Sequence, residues 1–93
     1  GKVIAWDLGA NKSIKSVATG KSARSLAISK DGSALYVVNF RSGTLSVVDT
    51  EDMKVLQNIK VCNEPIGVTY DEVESKTWVA CYGGSIKVFA PQQ

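Results

Sequence analysis

Laid over itself with an offset of 42 residues, this sequence repeats. Asp7 of IAWDL (4–8) falls on Asp49 of SVVDT (46–50), and in the same register Lys12 falls on Lys54, Ile14 on Leu56, Val17 on Ile59, Leu26 on Val68, Tyr36 on Trp78 and Val37 on Val79. One residue is lost around Gly83 and Gly84, after which Leu45 matches Ile86 and Val47 matches Val88. Identities are few, but apolar, aromatic and turn positions coincide. A fixed period of this length marks a chain built from stacked units, none of which buries its own apolar surface alone.

Each period divides into four short strands, because apolar residues recur at period two or in short β-branched runs between turn residues. RSLAI (24–28) alternates, with Leu26 and Ile28 on one face. ALYVVNF (34–40) is almost continuously apolar, as a strand covered on both sides should be. TLSVVD (44–49) alternates through Leu45 and Val47. KVLQNIKV (54–61) mixes Lys54, Gln57, Asn58 and Lys60 among its apolar residues, the pattern of an outer edge that must discourage stray pairing. The turns agree. Asp31-Gly32 is a hairpin signal, since glycine accepts positive φ at little cost. Asp7 and Asp49 end their strands where a short carboxylate can accept backbone hydrogen bonds from the next turn, and no carboxylate cluster surrounds either, so no metal site is expected. The segment at 50–59 and its counterpart at 8–17 both read as strand hairpins.

Four antiparallel strands in a period near 42 residues is the spacing of a β-propeller blade. The expected fold is all-β: four-stranded antiparallel β-propeller blades, about two blades of an incomplete propeller. Residues 1–20 supply the third and fourth strands of one blade, 21–61 a complete blade, and 62–93 the first three strands of another. The wording of residues 25–61, with SKDG, LYVVN, SVVDT and MKV in succession, resembles the YVTN-type propeller repeat, and EPIGVTY (64–70) resembles the opening of the next one. Two departures stand out: DEVES where Asp-Gly is expected, and Cys81 where the other copy has Asn39. KVIAWDL (2–8) is similar to a strand of the WD family, which ranks second because its Gly-His dipeptide is missing. The YVTN resemblance implies a bacterial or archaeal protein of the periplasm or cell surface, in a group with many members of no assigned chemistry.

Closed propellers carry typically four to eight blades. Two units therefore leave blade faces open, and Tyr36, Val38, Phe40, Trp78 and Tyr82 are expected to be wet at an open end. Burying each would contribute roughly 1.5 to 3 kcal/mol. The covering blades come either from the rest of a longer chain or from other copies in a head-to-tail homo-oligomer, with 1–20 of one molecule pairing against 64–90 of another. Residues 1–30 hold six basic groups and one acid, while 31–93 hold five basic groups and eight acids. Such ends could attract each other, or simply form a two-signed solvated surface.

The chemistry is sparse. Histidine is absent, which removes Ser-His and Cys-His nucleophile pairs and imidazole metal ligands. No catalytic residue is assigned. A net charge of +2 argues for neither nucleic acid nor an anionic membrane, and no apolar run approaches the roughly 18 residues of a membrane span. Counted along the hairpin that turns at 71–75, Cys81 lies nearer Ile66 than Cys62, which places the pair beyond the roughly 7 Å Cα limit for a disulfide. Two buried or half-buried free thiols are expected. The final letters, PQQ, coincide with a cofactor's abbreviation and carry no information about one, and no cofactor is expected.

By likeness to other propellers, the recognition end is made by the loops joining fourth to first and second to third strands, here 21–24, 40–43, 62–64 and 82–85. The candidate binding residues on them are Arg24, Phe40, Arg41, Asn63, Glu64 and Tyr82, weighed against ordinary blade packing. The favoured function is a non-enzymatic binding or scaffolding module. The alternatives are a fragment of a lactonase-like propeller enzyme, to which WVACYGGSIKVF (78–89) bears some resemblance, and a purely structural cell-surface repeat.

Overall fold

The computed structural model describes residues 1–90. The terminal PQQ at 91–93 lies outside them. Among the described residues there are nine strands and no helix: β1 (Lys2–Asp7), β2 (Lys12–Ala18), β3 (Ala23–Ile28), β4 (Ala34–Asn39), β5 (Thr44–Asp49), β6 (Lys54–Lys60), β7 (Pro65–Asp71), β8 (Lys76–Cys81) and β9 (Ile86–Phe89). They form three antiparallel sheets in chain order: β1-β2, then β3-β4-β5-β6, then β7-β8-β9. Each strand pairs only with its sequence neighbour, as short hairpin turns dictate.

The 42-residue repeat is also a repeat of backbone conformation. Asn11 and Met53 sit in the left-handed region at φ 54° and 52°, and Ser22 and Glu64 at 60° and 57°. Gly43 and Gly84, 41 apart, are both positive as well. Non-glycine residues enter this region at a cost, so their recurrence at repeat-equivalent positions shows that the turns, and not merely the apolar pattern, are copied. Asp7 Oδ1 accepts from the Gly9 and Ala10 amides at 2.9 and 3.2 Å, Asp49 Oδ1 from Glu51 at 3.0 Å, and Asp71 Oδ1 from Val73 at 2.9 Å. These are structural Asx turns.

Two apolar layers lie between the sheets. On one side of the central sheet, Val37, Val48 and Met53 pack with Val3, Ala5 and Val17 of the first sheet. On the other, Val38 and Leu45 pack with Val79, Val68 and Phe89 of the third, and the Tyr36 and Tyr70 rings stack at 5.6 Å. Tyr36 and Val38 are thus covered, contrary to the sequence expectation that both would be wet. The pairing of Tyr36 with Val47 and of Val38 with Leu45 puts them on the face that meets the third sheet. Trp78, by contrast, pairs with Val88 on the far face of the third sheet, where Trp78, Ile86 and Val88 remain open. Ile4 and Trp6 are open on the first sheet, and Leu26 and Ile28 are open on β3.

A polar seam crosses the central sheet. Asn39 Nδ2 donates to Thr44 Oγ1 at 3.1 Å and to Ser46 Oγ at 2.9 Å, and Ser46 Oγ donates to Asn58 Oδ1 at 2.6 Å. Asn39 and Ser46 are fully buried, and hydrogen bonding makes that burial tolerable.

The expectation of free thiols is overturned: Cys62 and Cys81 form a disulfide with a Cα separation of 6.4 Å. The observed register pairs Cys81 with Pro65, not with Ile66 as the hairpin count has it, because a bulge intervenes between Pro65 and Gly67. Glu64, in the left-handed region, then folds the preceding residues back toward the end of β8.

Leu45 is 1% exposed and Leu8 87% exposed. Leu45→Ala should cost about 2 to 5 kcal/mol in urea unfolding, whereas Leu8→Ala should stay within about 0.5 kcal/mol. Asp31 Oδ1 accepts from the Ser33 amide, the Ser33 hydroxyl and the Ser29 hydroxyl. The Ser33 bonds above all lower its pKa from 3.8 to about 2. A carboxyl with a depressed folded pKa stabilises the fold when ionised, and that contribution is lost as pH falls from about 3.8 to about 2. The Asp31 carboxyl carbon should titrate near pH 2 by NMR, and the stability difference between the parent and Asp31→Ala should narrow across that window.

Candidate functional site

The connections β2–β3, β4–β5, β6–β7 and β8–β9 are stitched together at one end of the sheets by backbone bonds. The Phe40 amide donates to the Ser22 carbonyl at 2.8 Å and the Arg41 amide to the Lys21 carbonyl at 3.2 Å. One repeat on, the Tyr82 amide donates to the Glu64 carbonyl at 3.0 Å. The Lys21 amide donates to Ser42 Oγ at 2.7 Å. These bonds form because Ser22 and Glu64, at positive φ, turn their carbonyls toward the loop ahead.

This rim gathers the candidate residues into two adjoining groups. Arg24, Phe40 and Arg41 line one depression of about 300 Å³ with Ser22 and Ala23. The Arg24 guanidinium lies 4.9 Å from the Phe40 ring centroid, within cation–π range. No carboxylate lines the depression. Asn63, Glu64 and Tyr82 form the second group at the repeat-equivalent junction, and all three are exposed. The groups meet at Gly43: a methyl group added there would lie 2.7 Å from the Cys62 carbonyl oxygen and 4.0 Å from the Asn63 Cα. Gly43 also has φ 71°, so glycine is required on both counts.

The rim carries donors, acceptors and apolar surface. It offers two guanidiniums, an aromatic face, a phenol, an amide and one carboxylate. It has no imidazole to move protons and no activated nucleophile, since both cysteines are tied in the disulfide. That bond under the second group is the feature that hairpin counting missed. The repeat offset carried the signal: Cys62 and Cys81 fall on Gly20 and Asn39, which touch where the β2–β3 connection meets β4, a Cβ on Gly20 lying 2.8 Å from Asn39 Cγ.

Residues 1–82 match the family described as cytochrome D1 heme domain. The chain belongs to that family. Its architecture is that of a β-propeller repeat protein, shown by relatives and solved structures alike. Over 50 residues it is 40% identical to the seven-bladed beta-propeller protein Rv1057 of Mycobacterium tuberculosis, a match covering 54% of this chain and 13% of that protein. A chain of Kuenenia stuttgartiensis hydrazine synthase superposes with a TM-score of 0.88 at 31% identity, over 94% of this chain and 26% of that one. The Cps50 (Swd1) beta-propeller domain of Myceliophteria thermophila superposes over the whole of this chain and 30% of its own with a TM-score of 0.84 at 16% identity, a likeness of fold alone. The chain thus spans only a small part of the proteins it matches.

The family's description names a haem, so the donor set of this member bears on function. Haem iron is held by His, Cys thiolate, Met or Tyr. This chain has no His, and both Cys are in the disulfide. Its one Met, Met53, is buried against Val37 and Val48. Tyr36 and Tyr70 stack on each other between blades. Tyr82 is open, 71% exposed on the rim, and no group of three or more His, Cys, Asp or Glu that could hold a metal occurs among the described residues. These residues do not fit a haem-iron site.

Proposed function

We propose that this chain is part of a non-enzymatic, YVTN-like propeller module that recognises its ligand at the rim, through a flat anionic group held between Arg24, Phe40 and Arg41. The observation that carries the reading is two arginines and an aromatic ring lining one depression free of carboxylates, with the Arg24 guanidinium against the ring. A carboxylate can accept charge-assisted hydrogen bonds from the arginines while the apolar body of its ligand packs beside Phe40. Further blades of the same kind, from the same longer chain or from other copies, cover the open faces at Ile4, Trp6, Trp78, Ile86 and Val88. A groove of about 500 Å³ beside β9, lined by Tyr36, Leu45, Leu56, Ile59, Val88 and Phe89 among others, suits one more strand. The setting is the periplasm or cell surface. The disulfide supports this, since such bonds persist in oxidising compartments.

A second reading, an enzyme-associated propeller segment, is favoured by the 31% identity to a hydrazine synthase chain. The rim's lack of an imidazole and of an activated nucleophile places it second. In either case this segment supplies binding surface, and any reacting groups come from outside it.

Benzoate serves as the probe. In an NMR titration it should shift resonances of Arg24, Phe40 and Arg41 together, and Arg41→Ala should weaken binding about tenfold. Scattered shifts, or hydrolysis of sugar lactones by the protein, would count against the reading. Residues 1–93 in isolation should self-associate at micromolar concentration through the open blade faces; light scattering from a folded monomer would remove the proposal about covering blades.

A further inference from the structure

The two rim junctions solve the same packing problem in different ways. At the first, the Gly20 backbone lies against Asn39, and a methyl group on Gly20 would come within 2.9 Å of Ser42 Oγ as well as 2.8 Å of Asn39 Cγ. The fit is a contact between a bare backbone and a buried amide whose Oδ1 has no partner among the described residues. At the second, the same two positions are cysteines joined covalently. The rest of the junction is retained. Ser22 and Glu64 share the left-handed conformation, and their carbonyls accept the Phe40 and Tyr82 amides at 2.8 and 3.0 Å.

The disulfide therefore lies beneath only one half of the rim. Cys62 is bonded through the chain to Asn63, next to Glu64, and Cys81 is bonded to Tyr82. Glu64 is held at φ 57°, a conformation that a non-glycine residue keeps only while its surroundings enforce it. Cys81 is 6% exposed, whereas Cys62 is half-buried at the edge of the core.

We propose that the Cys62–Cys81 bond is a redox-sensitive clamp on the half of the rim formed by Asn63, Glu64 and Tyr82. A dithiol reductant attacks Cys62 Sγ through its thiolate, breaking the S–S bond and forming a mixed disulfide. The departing Cys81 thiolate takes up a proton. The reductant's second thiol then displaces Cys62, so the reductant loses two electrons and two protons and the chain gains two thiols. Without the bond, Glu64 relaxes from the left-handed region and the bond from the Tyr82 amide to its carbonyl opens. The half of the rim holding Arg24, Phe40 and Arg41 stays as it is, because Gly20 and Asn39 pack there without a covalent link. The clamp bears on ligand recognition only if the rim is the binding end, but its own test needs no ligand.

Amide hydrogen exchange of the protein, oxidised and then reduced with dithiothreitol, reads the clamp directly. Reduction should lower the protection of the Tyr82 amide by about tenfold or more and leave the Phe40 amide within about twofold. The double variant Cys62→Gly/Cys81→Asn, which imports the other junction's residues, should make the Tyr82 amide indifferent to dithiothreitol. An unchanged Tyr82 amide on reduction, an equal loss at Phe40 and Tyr82, or a bond that dithiothreitol leaves intact would each overturn the proposal without a variant being needed. The benzoate titration at Arg24, Phe40 and Arg41 should be the same in both redox states, so failure of the clamp and failure of the anion site are told apart.

Discussion

A small twisted sheet has two broad faces and cannot turn both inward by itself. In this chain that constraint acts on every strand. The central sheet is covered on one side by Val3, Ala5 and Val17 and on the other by Val68, Val79 and Phe89, and it holds the most deeply buried residues, among them Val37, Val38, Leu45 and Val48. The outer sheets have one covered face each, and their open faces carry Trp6 and Trp78, 52% and 40% exposed. Stability is thus a property of stacking: a blade is as secure as the neighbours on its two sides.

The same stacking builds the rim. Because each loop bonds to the loop one strand pair away, this end is as periodic as the core, and a side chain at one junction has a counterpart at the next. Phe40 answers to Tyr82 and Ser22 to Glu64. Differences between junctions are then where individuality enters. The basic, aromatic group at the first junction and the sulfur-bridged, mixed-polarity group at the second are two uses of one backbone scaffold, which is how a repeat fold acquires a site without changing its frame.

Much of this was legible in the residues. The offset that lays Asp7 on Asp49 located the strands, the Asx turns and the rim loops, because each depends on local chemistry: alternation, turn residues and capping carboxylates. The covering of Tyr36 and Val38 was not legible, since a strand that is apolar on both sides does not say which side meets which neighbour; sheet packing in space decides that. The disulfide was lost to counting along a single hairpin. Bulges and left-handed residues such as Glu64 displace register by amounts that no count of intervening residues contains. Comparing the two repeats position by position, Gly20 with Cys62 and Asn39 with Cys81, would have brought the cysteines together.

A chain made of lookalike strands risks pairing a strand with the wrong copy, and the buried row of Asn39, Ser46 and Asn58 guards against it. Slipping β5 by one residue would swing Ser46 to the face of Val38 and Leu45 and strand two amides; borrowing β9, which has Lys87 in place of that serine, would press a cation onto Asn39. The row works as an index mark. It gives the middle blade one identifiable partner for each of its strands, so that three near-identical sheets can fold side by side without exchanging pieces.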